Sequence, residues 1–287
     1  MTPHIAFFNN KGGVGKTSLV YHCAYMFAEQ GLRVLVADLD PQSNLSIMAL
    51  DEARLEALWP DDEHPLTLYG AVAPLFDGTG DVQSAHIESL APDLGLLVGD
   101  LALSRIEDDL STAWSRCPEG DERALRVTTA FWHVIDDAAK RHHADIVLMD
   151  VGPNLGAINR AALVASSHVV MPVTPDLSSL LALKHLGLTL HAWRADWAMA
   201  RLRVQSVSDA LLPPGNMLPV GCVLMQVVER YGYSSKANAQ WQTELQHVYQ
   251  QSVLGLPVNL DIGYGDECVI QRIKHYRSLM PMAMEMR

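Results

Sequence analysis

The stretch "HIAFFNNKGGVGKTSLVYHCAYMFAEQG", His4 to Gly31, leaves few folds open. An apolar run enters a loop carrying Gly12, Gly13 and Gly15, and the loop passes directly into a helical pattern at Lys16. Glycines tolerate φ > 0 and let successive backbone N–H groups close on an anion. The start of the helix adds its partial positive charge. Gly15-Lys16-Thr17 at that junction predicts a phosphate-binding loop, with Lys16 on the β- and γ-phosphates and the Thr17 hydroxyl on Mg²⁺. The bland alternative, a plain glycine turn, does not account for Gly-Lys-Thr at the helix start. The helix that follows places Leu19, Val20, Cys23, Ala24 and Phe27 on one face and stops at Gly31, a usual C′ residue.

The same alternation of apolar run and helical pattern continues along the chain. Candidate strands are His4–Phe8, Arg33–Asp38, Leu94–Val98, Asp145–Met149, His168–Val173, Val220–Val227 and Val253–Val258. They predict an α/β fold with a mostly parallel twisted sheet of about seven strands, helices on both faces. "LRVTTAFWHVIDDAAKRHH" reads as one amphipathic helix delivering the chain to "DIVLMD". Residues 51–80, with Pro60, Pro65 and Pro74, read as an acidic, irregular cover for one end of the sheet. At 287 residues with 49% hydrophobic content, one large domain over 1–287 is expected.

Charge and cysteines narrow the function classes. Residues 1–150 hold 10 Lys or Arg against 24 Asp or Glu, whereas residues 151–287 hold 11 against 9. A protein that coats nucleic acid with its whole surface is excluded, and contact with a polyanion is to be sought late in the chain. Cys23, Cys117, Cys222 and Cys268 lie far apart, without a C-x-x-C pair, as reduced thiols of a cytoplasmic protein would. No run approaches the length of a membrane-spanning helix, and no secretion signal opens the chain. The 12 histidines form no H-E-x-x-H.

Three carboxylates stand at strand ends, where they can orient water or hydrated Mg²⁺ beside a phosphate loop. Asp38 and Asp40 close "VLVADLDPQSN", and Asp150 closes "DIVLMDVGPNLG". Asp38 could instead serve only to cap or end its strand.

The general phosphate-loop pattern asks for glycine at position 10, where this chain has Asn10, with Lys11 next. The resulting K-G-G-x-G-K-[ST] resembles the deviant Walker A motif of the ParA/MinD family of ATPases. "DLDPQSN" resembles that family's first switch, with Ser43 in place of its glycine. "DVGPNLG" resembles the second switch, D-x-P-P, with Gly152 in place of the first proline, a departure expected to loosen the switch. Likeness is strong over 5–50 and 145–186 and weak over 51–140 and 187–250, with 51–127 the variable region between the switches. No helix-turn-helix precedes the loop, as in small, Soj-like ParA proteins.

The resemblance implies a P-loop NTPase-type fold and slow, partner-stimulated hydrolysis of ATP with Mg²⁺. Nucleotide contacts would come from Lys11, Gly12, Gly13, Val14, Gly15, Lys16, Thr17 and Ser18, with Gln226 near adenine. It further implies that Lys11 reaches the partner's phosphates in an ATP-sandwiched homodimer, as an arginine finger does. Asp40 would position the attacking water, and Thr17, Asp38, Asp40 and Asp150 would serve the metal. Other implied partners are nonspecific DNA and a ParB-like stimulator, on a cytoplasmic, nucleoid-associated protein. Arg272, Lys274 and Arg277, on an expected last helix within 260–287, are candidates for the DNA contact. A MinD-like membrane anchor fits poorly, because "SLMPMAMEMR" spaces its methionines at period two. A metabolic ligase or synthase on the same fold needs a second small-molecule pocket and usually lacks the early lysine. A nitrogenase-iron-protein-like role lacks cysteines suited to a cluster.

Overall fold

The computed structural model describes residues 2–60, 64–203, 212–227, 236–256 and 268–274. Eight strands form one sheet: β1 (His4–Phe7), β2 (Val34–Asp38), β3 (Glu88–Ala91), β4 (Leu94–Leu97), β5 (Ile146–Asp150), β6 (His168–Val173), β7 (Leu218–Val227) and β8 (Val269–Lys274). Their order is β3-β4-β2-β5-β1-β6-β7-β8, parallel throughout except for β3 against β4.

Side-chain alternation divides the sheet's apolar residues between two cores. Val34 and Val36 of β2, Leu148 of β5 and Val170 of β6 face one side. There they meet α1 (Lys16–Glu29), α2 (Asn44–Ala49) and α3 (Glu52–Leu58) through Leu19, Val20, Ala24, Leu45 and Leu58. Leu35, Ala37, Val147, Met149, Val169 and Met171 face the other side. That side is covered by α4 (Leu68–Phe76), α5 (Glu107–Arg116), α6 (Glu122–Thr128), α7 (Ala130–His142), α8 (Ala157–Val164), α9 (Leu177–Arg203) and α10 (Lys236–Val248). Strands buried on both faces need continuous apolar runs, which is why β2, β5 and β6 were readable as they stand.

Three expectations are corrected. The run at 253–258 is not a strand: Tyr249–Val253 form a π-helical turn, Gly255 follows at φ 69°, and 257–258 lie outside the described residues. The outermost strand is instead β8, whose "VIQRIK" is rich in β-branched residues and pairs with β7. Residues 51–80 carry α3 and α4, started by Asp51 and Thr67 accepting from the N–H groups of Arg54 and Gly70. The long helix expected before β5 breaks at Thr129 into α6 and α7, and the Thr129 hydroxyl bonds back to the Leu125 carbonyl at 2.8 Å.

Candidate functional site

The C-terminal ends of β1, β2 and β5 lie side by side, with Phe7 in register with Asp150 and Asp38 in register with Asp150. This edge of a parallel sheet is where α/β folds bind ligands. The loop leaving β1 turns through Gly13 at φ 73° and Gly15 at φ 90°, then opens α1. Asn9 anchors its base, donating to the Pro172 carbonyl at 2.6 Å and accepting from the Lys11 N–H at 2.9 Å. The loop walls a cleft of about 980 Å³ shared with Tyr21, His22, Asp40, Gln42 and Pro153.

Lys16 and Asp150 form a buried ion pair, Nζ to Oδ1 2.7 Å, at 7% and 0% exposure. The second oxygen, Asp150 Oδ2, is buried and without a hydrogen-bond partner. Burial raises the Asp150 carboxyl, against the pull of Lys16 and Thr17. Asp38 is fully buried. Its Oδ2 accepts from the Ser46 N–H and hydroxyl, both at 2.8 Å, while Oδ1 has no partner. Burial first, then the Asp150 charge, push its carboxyl up to about 7, with Ser46 opposing. Gly99 is required here, since a Cβ would fall 2.7 Å from Asp38 Cγ. Asp40 accepts from the Gln42 N–H at 3.0 Å, fixing the turn into α2. Ser43 adopts φ 51°, the left-handed conformation that explains glycine's usual place in such a segment.

Lys11 does not point into solvent. Its Nζ is bonded to Asp176 Oδ2 at 2.6 Å, Thr174 Oγ1 at 2.9 Å and Ser179 Oγ at 3.3 Å, just past β6 in the same chain. Burial works to raise the Asp176 carboxyl. Hydrogen bonds from Lys11, Ser178, Thr174 and the Ser179 N–H outweigh it and hold the group well below the carboxylate range. Asp176 also starts α9, accepting from the Ser179 N–H at 2.9 Å. Gln226, at φ 56° on β7, donates Nε2 to the Gly13 carbonyl at 3.1 Å.

The structure thus brings Lys11 through Ser18, Asp38, Asp40, Asp150 and Gln226 to one end of the sheet. Arg272 and Lys274 sit instead on β8, not on a helix, and Arg277 lies outside the described residues. Asp176 was missed, although "TPDLSS" offered the same cue as Asp38 and Asp150, a carboxylate just beyond a buried strand. Among the described residues there is no cluster of three or more metal-binding side chains, and no helix long and apolar enough to cross a membrane.

A protein-family profile described as an AAA domain matches residues 2–199. The chain belongs to that family, among its ParA-like members. Protein IncC of Escherichia coli is 34% identical over 63% of this chain and 44% of its own length. The chromosome-partitioning ATPase Soj of Thermus thermophilus is 31% identical over 67% of this chain and 62% of its own. The chain matches less than half the length of the first such relatives. A crystal structure of a Corynebacterium diphtheriae protein superposes with TM-score 0.71 at 27% identity, covering 86% of this chain and 89% of that one. An ATP complex of a Cyanothece McdA variant gives 0.63 at 16% identity, covering 95% and 83%. Cobyrinic acid a,c-diamide synthase from Mycobacterium smegmatis with ADP and magnesium gives 0.61 at 22%, covering 90% and 84%. These last two share the fold, which alone does not separate a partition protein from a synthase.

Proposed function

We propose that the chain is a Mg²⁺-dependent ATPase that dimerises around ATP, binds DNA without sequence preference in that state, and positions a DNA or protein cargo. The observation that carries this reading is the division of labour between two lysines of one loop. Lys16 is sunk against Asp150 at the floor of the cleft, whereas Lys11 is held at its rim by Asp176. One triphosphate needs one such cation on its near side, and a rim lysine is placed to serve a facing subunit.

The residues fit ATP and a hydrated Mg²⁺. Backbone N–H groups of the loop would receive the phosphates, and Lys16 would exchange Asp150 for the β- and γ-oxygens. Thr17 and the unpartnered Asp150 Oδ2, the latter through water, would hold the metal, with Asp38 and Asp40 nearby. Once bound, the ion would neutralise charge on the phosphates, and Asp40 would orient the attacking water. Gln226, bonded to the Gly13 carbonyl, would contribute to the adenine side. Slow turnover suits a site completed by partners, among them a ParB-like stimulator. Arg272 and Lys274 on β8, with Arg277, remain the proposed DNA contact, and the protein would be cytoplasmic and nucleoid-associated.

The test is size exclusion of Asp40→Ala with and without Mg-ATP. A dimer that persists only with the nucleotide is expected, because binding survives while the water is no longer oriented. A monomer under both conditions, with wild type equally unresponsive, refutes the proposal.

A further inference from the structure

The loop after Asp150 is pinned by a side chain to which neither the sequence motifs nor the relatives assign a role. Asn159 lies in α8 and is 1% exposed. Its Oδ1 accepts from the Gly152 N–H at 3.1 Å, and its Nδ2 donates to the Gly152 carbonyl at 2.9 Å. The same Nδ2 reaches the carbonyl and the side-chain oxygen of Asn154, both at 2.8 Å. Two N–H bonds therefore serve three oxygens, and the amide is fully engaged.

Gly152 is closely surrounded. A Cβ there would lie 3.3 Å from both amide atoms of Asn159 and 3.4 Å from Asp40 Oδ1. Gly152 thus stands close to both Asn159 and the carboxylate assigned to the attacking water. A proline at 152 has no N–H to give to Asn159. Glycine at this position, expected to loosen the loop, instead has both its backbone polar groups bonded. At the loop's far end Glu107 of α5 accepts from the Ala157 N–H at 2.5 Å and the Ile158 N–H at 3.0 Å, and Asn154 accepts from the Gly156 N–H at 2.8 Å.

We infer that Asn159 is a positioning residue of this site: by pairing with both polar groups of Gly152, it fixes the second switch against Asp40 and Asp150. The inference rests on the reading of Asp40 and Asp150 in ATP hydrolysis. It concerns placement, since Asn159 itself touches no reacting atom.

Its test is Asn159→Ala in the full chain, followed by amide hydrogen exchange without nucleotide and by hydrolysis at saturating Mg-ATP. Exchange across 150–158 is expected to speed up by roughly fivefold or more, the equivalent of one or two hydrogen bonds, with β1 and β6 unchanged. The turnover number is expected to fall by about tenfold or more while KM for ATP changes little, as displacement of a reacting group by a fraction of an ångström would cause. Asn159→Asp, which keeps an acceptor for Gly152 and loses the donor, should show the same split between turnover and KM. Unchanged exchange at 150–158, faster exchange throughout the sheet, or local loosening with wild-type turnover each overturns the inference. If wild type and Lys16→Ala are equally inactive, the ATPase reading fails by itself, and the exchange data alone decide whether Asn159 sets the loop.

Discussion

Lys11→Ala is expected to retain ATP binding while losing hydrolysis by roughly 10³-fold, the lower end of what a cation supplied in trans contributes to phosphoryl transfer. Fold stability should change little. The Lys11–Asp176 pair is 26% and 41% exposed, and such pairs contribute about 0–1 kcal/mol. Asp176 would keep Thr174, Ser178 and the Ser179 N–H as partners. Mixing subunits shows whose nucleotide the lysine serves. Lys11→Ala alone and Asp40→Ala alone should both be inactive. In a mixed dimer, the Lys11→Ala subunit keeps its own Asp40 and receives Lys11 from its neighbour, so one of the two sites works. Hydrolysis restored on mixing supports action across the interface. A mixture as inactive as its components shows that the lysine acts on its own nucleotide. Asp176→Asn supplies the complementary result: with the ion pair weakened, ATP-dependent dimers should form at lower protein concentration, as light scattering after size exclusion would register.

Asp38→Asn is expected to stabilise the nucleotide-free, metal-free protein at pH 8, by up to roughly 4 kcal/mol if the whole shift is recovered. The direction follows from proton binding. The Asp38 carboxyl moves from 3.8 to about 7 on folding, so across that interval the folded protein binds the extra proton and the unfolded chain does not. Stability from this group is therefore lost as pH rises from about 4 to about 7, and the cost is complete above it. Asparagine can still accept from Ser46 and carries no charge beside Asp150. The melting temperatures of wild type and variant should lie close together near pH 4 and separate toward pH 8, with Mg-ATP narrowing the gap. Parallel curves from pH 5 to 8 would show that Asp38 carries no buried charge cost.

What was legible in the sequence follows from how each element is buried. Strands covered on both faces read as unbroken apolar runs, and β1, β2, β4, β5, β6 and β7 were recognised that way. β3, "ESLA", is short, polar and at the edge, so it carries no such mark. β8 reads as part of a helix from the spacing of its basic residues, whereas the alternating "VIQRIK" is the mark of the edge strand it forms. The Thr129 break depends on a hydroxyl bonding back to the preceding turn, which helical periodicity does not reveal. In the site, the glycines at positive φ and the strand-end carboxylates Asp38, Asp40 and Asp150 follow from local chemistry and were legible, whereas Asp176, with the same cue after β6, was passed over. The partners of Lys11 were not, because Thr174, Asp176 and Ser179 lie more than 160 residues away and meet it only through the pairing of β1 with β6. Asn159 was missed for a similar reason. Its contacts span only seven residues, but they depend on α8 folding back over the loop that precedes it.

The carboxylate restraining Lys11 is also the acceptor at the head of α9, a 27-residue helix that extends about 40 Å. Its backbone carbonyl takes the indole N–H of Trp241 in α10. Whatever draws the lysine away thus strips a counter-ion from the top of a long rod and from a joint with the neighbouring helix. The rim of the cleft, the head of that rod and its joint to α10 therefore meet at a single residue.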